Sequence, residues 1–192
     1  MSDPVKLNIG SGLYPCPGWL NVDLQPAEAH IAAGGWPTDH PWQIDIVGDC
    51  RDLPFDDGEV DRIFFGHILE HLAYNTEAVE ALNEAYRVLK DRGEIGVVGP
   101  AMDYAIEQGC GAQLLEDIGL DRGERWAESD KTPGFAHLWE ATSENTLALV
   151  KGVFPNARIV DVPYVGTRHQ WPTTNAGAAE WQVGIYAYKE AS

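Results

Sequence analysis

Positive charge is scarce in this chain. Its 192 residues hold 13 lysines and arginines against 30 aspartates and glutamates, a formal net charge of −17. A surface this acidic repels phosphate backbones and anionic membranes, and the sequence contains no local basic patch to offset it. Nucleic acid is therefore not an expected partner, and the acidic surplus reads as a solubilising surface. Long apolar runs are also missing: nothing approaches the roughly 20 residues that span a bilayer, so no membrane association is expected. The opening MSDPVKLNIG has neither the basic nor the apolar region of a secretion signal, and a cytoplasmic location is the expectation. Cysteine is scarce and odd in number (Cys16, Cys50 and Cys110) with no C-x-x-C pair. That argues against a disulfide framework and suits a reducing compartment. Repeats and low-complexity segments are absent too. What remains, 44% apolar and 22% charged residues, is an ordinary globular composition with enough chain for one domain over residues 1–192.

Short β-prone runs recur along the first half and stop at glycine or aspartate. Val5 to Ile9 ends at Gly10-Ser11-Gly12, Leu20 to Leu24 carries Asp23, Ile44 to Val47 runs into Gly48-Asp49, and Val60 to Phe65 runs into Gly66. Thr76 to Lys90 places Ala78, Val79, Leu82, Ala85, Tyr86 and Leu89 on one face of a helix, which Gly93 is expected to stop. Glu94 to Val98 follows as a fifth strand. A helix within 103–119, a helix from Ser143 to Lys151 capped by Ser143, and strands at 158–162 and 181–188 complete the reading. Strands alternating with helices predict a mostly parallel sheet with helices on both faces. Residues 25–43, rich in proline and glycine, and residues 101–140 read as insertions or a lid.

Sheets of this kind bind ligands beyond the carboxyl ends of their strands, so the residues there carry the chemistry. Gly10-Ser11-Gly12 lets a backbone approach a ligand closely. Asp23 is placed to accept two hydrogen bonds from a ribose diol, and Asp49 to accept one from an exocyclic amine such as adenine's. Singly, each aspartate is better explained as a turn or cap residue. At successive strand ends, together, they favour an adenosine-containing ligand.

The ordered segments LNIGSG, GWLNVDL, GDCRDLPFDDGEVDRIFFGHILEHL and EAYRVLKDRGEIGVVGP resemble the class I S-adenosylmethionine-dependent methyltransferases, in particular a small-molecule branch called type 11. The resemblance covers residues 5–100. It implies a Rossmann-like, doubly wound α/β fold with a seven-stranded, mostly parallel sheet whose last strand is antiparallel. It implies S-adenosylmethionine as cofactor, with Gly10, Ser11 and Gly12 at its methionine part, Asp23 at its ribose, and Asp49 with the backbone of Cys50 at its adenine. Gly66 and His67 would line the methionine end and face a small-molecule acceptor. Two departures stand out. Tyr14 falls where the family's glycine loop has a third glycine, and only seven residues separate Gly12 from Leu20, so the first crossover is abbreviated to a loop.

Methyl transfer to a hydroxyl needs a base, and His67, at the mouth of the fourth strand, is the first choice. His137 is the second, with Asp103, Tyr104 and Glu140 behind it; HLWEAT (137–142) resembles a segment that closes the acceptor pocket. His30, His40 and His169 read as surface or loop residues. Trp36, Trp42, Trp126, Trp139 and Trp171 form either an aromatic wall for a sugar-like acceptor or ordinary packing. Two other readings compete: a cofactor-binding partner subunit without catalysis, and a zinc hydrolase. The last is suggested by HILEH (67–71), an H-x-x-E-H pattern, although His67 follows a strand directly instead of standing inside a long helix, and no metal is expected. Neither the acceptor nor the oligomeric state is legible in the sequence.

Overall fold

Leu7 and Ile9 of β1 (Lys6–Ile9) and Ile63 and Phe65 of β4 (Val60–Gly66) are almost wholly shielded from solvent, and the two strands pair in parallel at the centre of one sheet. The structure, a computed structural model, describes residues 3–12, 14–33, 43–107, 138–139, 141–160 and 182–191, with only the backbone of Ala105 and Ile106. The sheet adds β2 (Leu20–Asp23), β3 (Ile46–Val47), β5 (Leu89–Pro100), β6 (Arg158–Val160) and β7 (Gln182–Tyr188). Its order is β3-β2-β1-β4-β5-β7-β6. The first five strands are mutually parallel, and β7 is antiparallel to both β5 and β6. This is the expected seven-stranded, Rossmann-like arrangement. Among the described residues, no helix is long and apolar enough to cross a membrane.

Strand alternation divides the core between two faces. Leu7, Ile9, Ile63, Phe65, Ile95 and Val97 point to the side covered by α2 (Glu77–Val88) and α4 (Ser143–Lys151). Ala78, Ala81 and Ala85 line the inner face of α2, and such small side chains bring the helix close to the sheet. On the other side Phe64 and Val98 meet Trp19. Burying one such aromatic or aliphatic side chain contributes about 1.5–3 kcal/mol.

Trp19 belongs to the connection between β1 and β2, which is a loop and not a helix, as its length required. Leu7 pairs with Leu20 and Ile9 with Val22, so parallel pairing is achieved with an unusually short link. Two buried asparagines replace the missing helix. Asn8 Nδ2 donates to the carbonyl of Tyr14 at 2.9 Å and to Asn21 Oδ1 at 3.0 Å. Asn21 Oδ1 also accepts from the Cys16 amide at 2.8 Å, while Asn21 Nδ2 donates to Asp45 Oδ2 at 3.0 Å. The loop is thus pinned from beneath by side chains that alternate with the apolar core positions. Asn21→Leu should destabilise the fold by about 2–4 kcal/mol, because it leaves the Cys16 amide and the Asn8 amide without their acceptor in a buried place. Urea unfolding at equilibrium checks this; a change under about 0.5 kcal/mol would show that the loop is held by other means.

Three local expectations need correcting. The helix expected over Thr76 to Lys90 ends at Val88, before Gly93 could stop it, because Leu89 is already extended and begins β5. Gly93 serves the bend within β5, where a Cβ would meet the Lys90 carbonyl oxygen at 2.8 Å. Thr142, not Ser143, caps α4: its hydroxyl accepts from the Asn145 amide at 3.1 Å. Finally, the excursion at 25–43 contains a helix, α1 (Ala27–Ala33), and of the helix expected within 103–119 the described part is α3 (Met102–Glu107).

Candidate functional site

From β1 the chain builds β2 and β3 outward on one side, then returns so that β4 lies on the other side of β1. The strand order therefore reverses between β1 and β4, and a crevice opens at their carboxyl ends. Gly10, Ser11 and Gly12 leave β1 there, and Gly66 and His67 leave β4. Gly10 has φ 68° and its amide donates to the Val22 carbonyl at 2.8 Å. A Cβ on it would stand 1.8 Å from Ile68 Cδ1, so the residue must be glycine for Ile68 to pack. Ser11 is 2% exposed, and among the described residues neither its hydroxyl nor the buried Nε2 of His67 has a hydrogen-bond partner. A buried polar atom left unpaired costs about 1–3 kcal/mol, so two at neighbouring strand exits point to a ligand that pairs them.

His67 itself has φ 55°, a left-handed conformation that an L-residue adopts at a cost of about 1–2 kcal/mol. That turn reverses the chain out of β4 into the short 3-10 turn Leu69–His71, and it places Glu70 beneath the imidazole. Glu70 Oε1 lies 3.1 Å from His67 Nδ1, and the Glu70 side chain is 2% exposed. Burial opposes a charge on His67. The hydrogen bond and negative charge of Glu70, with a smaller contribution from Gln182 on β7, outweigh that and raise its pKa above the ordinary 6.5.

Asp23 is committed more heavily than a free ribose acceptor would be. Its Oδ2 accepts from the Gly12 amide at 3.0 Å, and its Oδ1 accepts from the Gln25 amide at 3.2 Å and lies 2.9 Å from His30 Nε2. Since a carboxylate accepts about four hydrogen bonds, little capacity is left while His30 stays. His30 is thus an inward-facing residue of α1, 12% exposed at its side chain, and not the surface residue expected from sequence.

Asp49, at the exit of β3, is held by Arg51, whose Nη2 lies 2.6 Å from Oδ2 and whose Nε lies 3.0 Å from Oδ1. The hydrogen bonds from Arg51 keep the Asp49 carboxyl below the usual carboxylate range. Arg51 also reaches Glu77 at 2.6 Å, tying this corner to α2. Beside it, burial and then the charge of Asp49 push the Cys50 thiol up to about 12, so the side chain is inert and only its backbone is available. Asp49→Ala should weaken S-adenosylhomocysteine binding by about tenfold or more, through loss of an acceptor and release of Arg51. Calorimetry checks this, and unchanged affinity would remove Asp49 from the site.

Gly10, Ser11, Gly12, Asp23, Gly66 and His67 are thus brought to one end of the sheet. His137, Glu140, His40, His169, Trp36, Trp42, Trp126 and Trp171 lie outside the described residues. Of the tryptophans, Trp139 packs: its Nε1 donates to the Leu69 carbonyl at 3.0 Å and its ring meets Tyr74 at 4.8 Å. The Leu138 amide donates to the Glu70 carbonyl at 2.7 Å, so the 138–139 segment is fastened to the turn that follows His67. Asp103 is occupied as well, accepting from the Ser143 amide and hydroxyl at 3.1 Å. Tyr104 packs partly buried against the core. Among the described residues, no group of three or more His, Cys, Asp or Glu stands where it could hold a metal ion. In HILEH, Glu70 is engaged with His67 instead.

Residues 18–97, somewhat under half the chain, match the family described as a methyltransferase domain. A comparison with curated proteins finds no match. Among solved structures, a SAM-dependent methyltransferase from Methanosarcina mazei is similar over 100% of this chain and 95% of its own, with TM-score 0.56 and 15% identity. A SAM-dependent methyltransferase from Thermotoga maritima is similar over 99% and 84%, with TM-score 0.56 and 16% identity. A methyltransferase from Haloferax volcanii, in complex with the Trm112 methyltransferase activator, is similar over 100% and 84%, with TM-score 0.54 and 15% identity. The fold is that of the class I S-adenosylmethionine-dependent methyltransferases. The family match over residues 18–97 and these neighbours point the same way, toward methyltransferases that use S-adenosylmethionine. The buried Ser11 hydroxyl at the β1 exit, unpaired among the described residues, fits S-adenosylmethionine, whose methionine part carries charged and hydrogen-bonding groups, and His67 Nε2 at the β4 exit stays open to a second ligand.

Proposed function

We propose that the chain moves a methyl group from S-adenosylmethionine to an oxygen or nitrogen atom of a small polar acceptor. Bound in the crevice, the cofactor supplies a methyl group already activated on a sulfonium sulfur, so the protein's work is alignment and exclusion of water. Gly10, Ser11, Gly12 and Gly66 hold its methionine end, Asp23 its ribose, and Asp49 with the Cys50 backbone its adenine. His67 faces the acceptor and takes its proton, with His137 as a second candidate for that part. The observation that carries this reading is the buried, unpaired Nε2 of His67 beside an unpaired Ser11 hydroxyl at adjacent strand exits. Incubation with a methyl-labelled donor and a panel of hydroxyl- and amine-bearing metabolites should label at least one acceptor. Binding of S-adenosylhomocysteine with no labelling across the panel would favour the second reading, a cofactor-binding partner subunit. The Haloferax volcanii neighbour, a methyltransferase in complex with an activator protein, bears on that reading only as a case of assembly with a partner chain.

A further inference from the structure

His67 has two ring nitrogens, and only one of them can accept a proton from a substrate while the ring is neutral. Which one is decided by what the other nitrogen bonds. Here Nδ1 lies 3.1 Å from Glu70 Oε1, and Nε2 is buried with no hydrogen-bond partner among the described residues. Glu70 is itself buried at 2% exposure, its backbone carbonyl is fixed by the Leu138 amide at 2.7 Å, and the backbone amide of His67 donates to the Val98 carbonyl at 2.8 Å. The left-handed turn at His67, φ 55°, is what folds the 3-10 turn back far enough for a side chain three residues later to reach beneath the ring. A buried carboxylate is costly unless bonded, so its placement against the histidine at the exit of β4 needs a reason beyond packing.

We propose that Glu70 is the positioning residue of the methyl-transfer reaction: it holds His67 as the Nδ1–H tautomer and so presents Nε2, as an acceptor, to the methyl acceptor. This rests on the reading of His67 as the base. In the transfer step the acceptor's proton passes to His67 Nε2 and its lone pair forms the bond to the methyl carbon. The carbon–sulfur bond breaks with its electron pair kept by sulfur, which loses its positive charge. Glu70 is not consumed; it stabilises the imidazolium that results. Glu70 is the charge that acts on His67, and β7 contributes the uncharged Gln182. From the nearby HLWEAT segment the Leu138 amide donates to the Glu70 carbonyl.

The test begins with the unmodified protein, without donor or acceptor. Nitrogen-15 NMR of the histidine rings at alkaline pH should show His67 with its proton on Nδ1. A proton on Nε2 overturns the proposal and requires no variant. In Glu70→Gln, the acid limb of the kcat/KM profile, which follows deprotonation of His67, should move down by about one pH unit or more as the negative charge is lost. The plateau should fall by about tenfold or more, because a neutral amide accepts or donates and no longer selects one tautomer. Glu70→Asp should recover part of the plateau. A purely packing role for Glu70 leaves the limb and the tautomer where they were, and that result overturns the proposal. The base reading is separated by His67→Gly: full activity in that variant would sink the base, whatever tautomer the wild-type ring shows.

Discussion

His67→Gly should lower the rate of methyl transfer by about 10²- to 10⁴-fold, the usual worth of a general base, while S-adenosylhomocysteine affinity changes by no more than about threefold. Two local energies decide whether the variant folds. Glycine relieves about 1–2 kcal/mol of strain at φ 55°, and Glu70 loses one hydrogen bond, which costs about 1–3 kcal/mol. These nearly cancel, so the variant should remain folded and the loss should lie in kcat. Added imidazole should restore part of the rate, since the deletion leaves a ring-sized space above Glu70. Unchanged activity would mean that the acceptor loses its proton elsewhere, with His137 the first residue to examine. The wild-type profile has a definite sign. A base acts when neutral, and the pKa of His67 is raised, so activity should rise with pH through an inflection above 6.5.

The second large effect is expected at Asp23. Asp23→Ala should weaken S-adenosylhomocysteine binding by about 10²-fold or more, from loss of two hydrogen bonds to a charged acceptor at about 1.5–3 kcal/mol each. Part of the loss comes through the loop, because Asp23 Oδ2 fixes the Gly12 amide at 3.0 Å and thereby the turn that follows β1. Asp23→Asn separates the two contributions: it keeps an acceptor for the amide but gives up the charge, and should fall between wild type and alanine. His30 Nε2 lies 2.9 Å from Oδ1, so a ribose diol bound at Asp23 would have to displace His30 from that oxygen. Affinity in Asp23→Ala equal to wild type, measured by calorimetry, would remove the ribose from this strand end.

The parts of this site that could be read from the chain are those set by local pattern. Strand β4 is an apolar run that ends at Gly66, so the exposed end and the residue after it, His67, follow from sequence. The short β1–β2 link was legible too, because seven residues between Gly12 and Leu20 leave no room for a helix. The partners of these residues were not legible. Glu70 sits in H-x-x-E-H, where spacing alone suggests a metal pair; only the left-handed backbone at His67 turns it toward Nδ1. His30 looked like a loop residue because α1, seven residues long, is too short to show a periodic pattern among the prolines and glycines around it. Arg51 shows the reverse. It lies two residues from Asp49, and an adjacent opposite charge was a visible signal that the aspartate would not stand alone. Asn8 and Asn21 were hidden because an asparagine in a strand reads as a surface position, and here both are buried and bonded to each other at 3.0 Å.

The central claim is that the crevice at the β1 and β4 exits holds S-adenosylmethionine. Titration of the purified protein with S-adenosylhomocysteine in a calorimeter tests it most directly. One site per chain with a dissociation constant in the micromolar range is the expected result, corresponding to about −8 kcal/mol. No measurable heat and no rise in melting temperature at millimolar ligand would contradict the claim.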